Sequence, residues 1–364
     1  MKRTRGRVVH VETLAELDHR LAAGATSLRG WRVRGVDLSD RHAELAGVRL
    51  AGATFLGCTF APGDETMVRA AGGLVLPATA AAPVDTARTT LYTPDELYDV
   101  PDYADSLDAR AYAWSQRPST RDKALARALH DHAVDVALES WIEGRRLVGV
   151  MGRHTADRDA PGFADAARLG AALGRSLTVA TGGGPGAMEA ANLGAWLARQ
   201  ADPTAALDDA LALLSAVPSY RPSIGAWADQ AFAVLDRFPG GSESLGIPTW
   251  HYGHEPPNVF ATAIAKYFRN STREATLLEV CDAGIVFLPG FGGTVQEIFQ
   301  DACENFYADE SSVAPMVLVG VHYWTEELPA WPLLRALALG RPMEHHVHLV
   351  DTWEAAANLL VSGT

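Results

Sequence analysis

From residue 147 onward the apolar positions fall in short, nearly unbroken runs, each followed by a longer stretch of helical texture. Residues 147–151, 177–180, 284–288, 316–321 and 347–350 read as strands buried on both faces. Between and after them, residues 163–173, 186–198, 258–270, 272–280, 293–306 and 353–360 read as helices. Strands alternating with helices predict an α/β domain. Its core is a doubly wound, mainly parallel, Rossmann-like sheet with helices on both faces. Ligands of such sheets sit beyond the carboxyl ends of the strands.

The first 140 residues carry a different pattern. Residues 11–24 form a short amphipathic helix. Residues 28–60 then show a five-residue beat. Leu28, Val33 and Leu38 follow it, as do Leu50, Phe55 and Phe60, with Val48, Ala53 and Cys58 two places earlier. This spacing is either a narrow pentapeptide-type β-helix, with one inward side chain per step, or an irregular β region. Residues 71–88, rich in Ala, Pro and Gly, hold a linker or a last strand. Residues 94–143 are helical apart from a break near residues 118–120, where Ser119-x-x-Asp122 is a candidate cap. The organisation expected is an N-terminal accessory module at 1–90, a helical connector at 91–144, and a nucleotide-binding domain at 145–364.

Composition narrows the functional classes. The chain has 364 residues, 48% hydrophobic and 21% charged, enough for a sizeable core. No apolar run reaches the ~18–20 residues that span a bilayer. The basic start lacks a signal core of ~7–15 apolar residues. The expectation is a cytoplasmic protein without a membrane partner. A net charge of −13 argues against a nucleic-acid partner, though local arginines and amides can still hold an anion. Cys58, Cys281 and Cys303 match neither a metal spacing nor a disulfide framework. The lysines are Lys2, Lys123 and Lys266, which leaves almost no candidate for a Schiff base.

Two glycine-rich turns carry the chemistry. Thr181-Gly182-Gly183-Gly184-Pro185-Gly186 leaves a strand and opens a helix at Ala187-Met188-Glu189. Glycines let the backbone approach an anion, and a fresh helix offers unpaired N–H groups and a positive dipole end. The bland alternative is a tight turn without a ligand. Pro289-Gly290-Phe291-Gly292-Gly293-Thr294 repeats the arrangement after the run GIVFL. Two such turns at one sheet edge point to a shared site. Gly182-x-Gly184-x-x-Ala187 matches the dinucleotide fingerprint formally, but it follows the second strand of the unit, and the acid expected at a strand end, Asp202, lies beyond a long helix.

GGGPGAMEAAN followed by PGFGGTVQE resembles the LOG-like ("lonely guy") phosphoribohydrolases, long misnamed lysine decarboxylases. Glu255-Pro256-Pro257-Asn258 is similar to the bacterial nucleotide 5′-monophosphate nucleosidase branch. The resemblance covers about residues 145–325. It implies a hydrolase that splits a nucleoside 5′-monophosphate into free base and ribose 5-phosphate, working as a homodimer or larger assembly. No cofactor and no metal are implied. By position in the motifs, Arg273 and Glu297 are its catalytic pair, with Arg269 competing for the arginine role. Phosphate and nucleotide contacts fall on Gly152, Arg153, Gly182, Gly183, Gly184, Gly186, Met188, Glu189, Asn258, Gly290, Gly292, Gly293 and Thr294. The sequence departs from the family at Phe291, where glycine is usual.

Several of these residues also have structural readings. Thr294-x-x-Glu297 is a formal capping box. Glu189 either contacts the ligand or complements its helix dipole. Arg273 starts a helix about nine residues, or ~14 Å, long, so it and Glu297 can face one site while Glu279 cannot. His345, His346 and His348 suggest a metal only weakly, because alternating side chains on a strand do not converge. A noncatalytic nucleotide sensor on the same fold is the functional alternative. A pyridoxal-phosphate decarboxylase is disfavoured, because Lys266 is the only lysine in the domain.

Overall fold

The structure, a computed structural model, describes residues 9–77, 82–251 and 255–361. The chain divides into two units, Met1–Ala81 with Thr120–Ala126, and Ala82–Ser119 with Arg127–Thr364.

In the first unit four strands, β1 (Val9–Val11), β2 (Trp31–Arg34), β3 (Thr54–Leu56) and β4 (Leu74–Leu76), pair in that order, all parallel. Short helices Leu14–Ala22, His42–Ala46 and Asp64–Ala70 lie between them in the chain. Val11, Val33, Phe55 and Val75 stand opposite one another and are buried, forming the central row of the core. This corrects the pentapeptide expectation. Partners in the ladder are 22, 22 and 20 residues apart, the range of strand-plus-helix repeats. The five-residue beat was real but local. Leu28, Val33 and Leu38 are three inward positions of one coil, and Leu50, Phe55 and Phe60 are the same positions one repeat later. The helices break any continuous five-residue rhythm.

The second unit holds a seven-stranded sheet of β5 (Leu147–Met151), β6 (Thr178–Thr181), β7 (Leu245–Gly246), β8 (Ala263–Ile264), β9 (Ile285–Phe287), β10 (Met316–Val319) and β11 (Val347–Val350). Their order is β11-β10-β9-β5-β6-β7-β8, and every pairing is parallel. The α/β class with a doubly wound parallel sheet is therefore as expected. The chain grows outward from β5 through β8, then returns to lay β9 on the other side of β5. That reversal opens a crevice at the carboxyl ends of β5 and β9.

Three local expectations differ. The segment at 258–270 is not a helix. Nearly every side chain from 259 to 268 is buried, so it has no polar face, and it runs extended through β8. Its Ile264 exchanges both backbone hydrogen bonds with Tyr92. The connector breaks into helices Pro94–Leu97, Leu107–Gln116 and Arg121–Ile142. Its last helix is capped by Thr120, whose hydroxyl accepts from the Lys123 N–H, and not by Ser119.

Helix Ala187–Leu197, which follows the first glycine turn, is almost wholly buried. It crosses helix Pro161–Leu173 so closely that backbone of Ala191 and Ala167 occupies the space a Cβ on Gly170 or Gly194 would need. That contact fixes where the first turn sits. Among the described residues no helix is long and apolar enough to cross a membrane.

Candidate functional site

Three loops meet at the carboxyl edge: Gly152–His154 after β5, the first glycine turn after β6, and the second after β9. Between them lies a cavity of about 330 Å³. Of the residues singled out in the sequence, Gly152, Arg153, Gly182, Gly184 and Met188 line it, as do Arg273, Gly293, Thr294 and Glu297. Gly183, Gly186, Glu189, Asn258, Gly290 and Gly292 do not.

The first turn spends its polar groups internally. The Gly183 N–H donates to Thr181 Oγ1 at 3.0 Å, and the Thr181 hydroxyl donates to Asn192 Oδ1 at 2.7 Å. Asn258 Nδ2 donates to Gly184 O and to Asn192 Oδ1, each at 3.1 Å. Asn258 is thus a brace under the turn, not a wall of the cavity. Gly186, at φ +73°, carries the chain into the helix with Arg153 O only 2.5 Å from where its Cβ would stand. Thr181→Val leaves the Gly183 N–H and Asn192 without their shared partner. We expect it to cost about 2 kcal/mol, measured by denaturant unfolding, with helix content unchanged.

Glu189 faces away from this cavity. Arg158 Nε and Nη2 donate to its Oε1 at 2.9 and 2.5 Å, and both side chains are about 1% exposed. The Arg158 guanidinium also lies 4.6 Å from the Trp227 ring centroid. Burial raises the Glu189 pKa and Arg158 opposes it. In the described chain Glu189 is held in a buried ion pair with Arg158.

The second turn is the open one. Helix Gly292–Tyr307 begins after Phe291, with no side-chain cap. Thr294 therefore sits inside the first turn of the helix, and the capping box does not form. Amides at a helix start have no partner within the helix. A Cβ added at Gly292 or Gly293 would meet nothing within 4 Å. Gly290 is packed tightly against the Thr294 side chain, and Tyr323 donates to its carbonyl at 2.7 Å.

Arg273 and Glu297 converge. Arg273 Nη1 lies 3.8 Å from Glu297 Oε1, with the side chains 12% and 15% exposed. Arg273 is anchored at its other edge: Nε donates to Ile247 O at 2.7 Å and Nη2 to Gly182 O at 3.3 Å. Arg269, its competitor, caps the same helix from an exposed position and does not line the cavity. Burial pushes the Glu297 carboxyl up to about 7; Arg273 opposes the shift and the Glu274 charge adds to it. The helix starts at Gly292, so Glu297 lies beyond the first turn where the dipole would favour ionisation, and burial dominates.

Other groups complete the site, of which the sequence marks Phe291 and Glu255. Phe291 is 57% exposed at the cavity edge, under the Arg153 guanidinium at 4.9 Å. Glu274 is held by Asn270 and Gln296, each donating at 2.6 Å. His154 Nδ1 approaches Glu255 Oε1 at 3.8 Å across the cavity. Lys266 does not line the cavity. It is buried, and its Nζ lies 2.5 Å from Asp108 Oδ1, which also accepts from Trp250 Nε1. Among the described residues no group of three His, Cys, Asp or Glu is arranged to hold a metal.

No protein-family model matches the chain, and no curated protein matches it. Solved structures do. A molybdenum cofactor binding protein from Rippkaea orientalis matches at 17% identity and a TM-score of 0.38, over 60% of this chain and 96% of that one. The molybdenum cofactor carrier protein of Chlamydomonas reinhardtii matches in two structures, at 17% and 16% identity and TM-scores of 0.36 and 0.35, over 60% of this chain and 99% of theirs. These are molybdenum cofactor proteins, not phosphoribohydrolases. The resemblance to the LOG-like family is corrected on that finding. With it go the hydrolase and nucleosidase assignment, the nucleoside 5′-monophosphate substrate and the nucleotide-sensor alternative. The paired glycine motifs describe how phosphate-sized space is made at a sheet edge, and that geometry is not owned by one family.

Proposed function

We propose that this chain binds a small anion-bearing molecule, with the anionic group resting on the amides that open helix Gly292–Tyr307. One observation carries the reading: an uncapped helix N-terminus at Gly293 and Thr294 opens into the same cavity as the Arg273 guanidinium. Orphan amides, the positive end of a helix dipole and the charge of the Arg273 guanidinium together favour an oxyanion such as phosphate. Gly182 and Gly184 leave room at the opposite wall for the Arg273 and Met188 side chains, and Arg153 lines the cavity beside them. Binding or carriage is the role these features serve.

The test is calorimetric titration of the full chain with sulfate, inorganic phosphate and a panel of phosphorylated small molecules. Molybdenum cofactor, the ligand of the matched proteins, belongs in that panel. Gly293→Phe fills the cavity from a position with open space, so the thermal midpoint should not move. Affinity for sulfate and for any phosphorylated ligand should fall at least about tenfold. Equal binding by the wild type and by Gly293→Phe would sink the proposal.

A further inference from the structure

A second, larger cavity of about 690 Å³ lies at the switch point itself, beyond the carboxyl ends of β5, β9, β10 and β11. Its floor is apolar: Leu288, Val319, Ala166 and Ala187, with Trp353 as a half-buried wall. Its rim carries the carboxylates of Asp157, Asp159, Asp165, Asp351 and Glu354. Among the described residues that line it, Arg153 is the single cationic one. That guanidinium is already committed to Pro289 O at 3.3 Å and to the Phe291 ring, on the side of the smaller cavity.

Two helix starts border this space, which by themselves would favour an anion. Both have part of their donor capacity removed or taken up. Pro161 begins the first helix and has no N–H to offer, and the Phe163 N–H donates to Ala160 O. In the second, the Thr352 hydroxyl accepts from the Ala355 N–H, and Glu354 stands in the first turn. The cavity presents apolar surface under an acidic rim: Asp165 is paired with Arg168 and Asp351 accepts from the Val321 N–H, and Asp157, Asp159 and Glu354 supply the remaining negative charge. The carboxylates are spread round the rim, and no three of them are arranged for a metal ion. An extended charge on an apolar body matches them better than a point charge.

We propose that this cavity is a binding site for an organic cation, an amidinium, guanidinium or amine carried on an apolar or aromatic body. Trp353 supplies a ring face for it, and cation–π contact adds to the field of the carboxylates. The proposal stands apart from the anion site across Arg153, and either can fail alone.

The experiment uses three probes of one shape and different charge: benzamidinium, benzyl alcohol and benzoate, titrated into the full chain by ligand-observed NMR. Benzamidinium should bind at least about tenfold more tightly than benzoate, with benzyl alcohol between them. Gly162 lines the cavity and has open space where a Cβ would stand. Gly162→Phe should therefore remove benzamidinium binding and leave sulfate affinity within about twofold. The exposed pair Asp159→Asn with Glu354→Gln should weaken benzamidinium and leave benzyl alcohol unchanged. Benzoate binding that is as tight as that of benzamidinium and is lost in Gly162→Phe, or benzamidinium binding that survives Gly162→Phe, overturns the proposal. Loss of sulfate binding alone would count against the anion site and not against this one.

Discussion

Replacing Asp301 with asparagine is expected to stabilise the protein strongly at alkaline pH and hardly at all near pH 4. Asp301 lies on the buried face of helix Gly292–Tyr307, 5% exposed, and its Oδ2 has no hydrogen-bond partner among the described residues. Burial raises the carboxyl from 3.8 to about 8, and the Glu304 charge adds to it. The sign follows from proton counting. Between about pH 4 and pH 8 the unfolded chain has released this proton and the folded chain has kept it. Stability from this group is therefore complete below about pH 4 and is lost as pH rises to about 8. The full span is on the order of 5 kcal/mol, an upper bound set by the size of the shift. Asparagine keeps the shape and does not titrate. Guanidinium unfolding of both proteins at pH 5, 7 and 9 should give curves that diverge as pH rises. Parallel curves would mean that Asp301 is solvated or paired in solution.

Asp301 and Glu297 sit one turn apart on the same helix, and the sequence made only one of them visible. Glu297 ends a glycine motif, so its place at the cavity could be read from chain order and strand direction alone. Asp301 is simply an acid in an amphipathic pattern, and only the packed helix reveals that it points inward. The same contrast runs through the fold. Strands β5, β9 and β10 were legible because each is an unbroken apolar run between helices, and β11 is interrupted only by His348. Strands β7 and β8 are two residues each, and the run holding β8 has no polar positions to set a period. In the first unit the five-residue beat was visible and the 22-residue repeat was not, since only two intervals of 22 residues occur before the last one shortens to 20. The larger cavity was hidden for another reason. Its walls come from loops after four different strands, and no stretch of sequence holds more than a part of it.

The last consequence concerns how the smaller cavity responds to pH. Glu297 shares an anion-sized space with Arg273, and burial holds its carboxyl at about 7. Protonated, it is a neutral donor beside an incoming oxyanion. Ionised, it takes up the Arg273 charge and repels the ligand. Affinity should therefore be highest below pH 7 and fall as pH rises through and above it. The limit is about tenfold per pH unit, or up to a hundredfold between pH 6 and 9. Sulfate is the right probe because it does not itself titrate in this range. Other charged groups face the same space: Glu274 on the helix of Arg273, Arg153 and His154 after β5, and Glu255 opposite His154. Their contributions separate by substitution. Glu297→Gln should bind sulfate with little dependence on pH and outbind the wild type at pH 9. His154→Gln should keep most of the slope. If Glu297→Gln retains the wild-type slope while His154→Gln loses it, the proton belongs to His154, and Glu297 serves only to hold Arg273 in place.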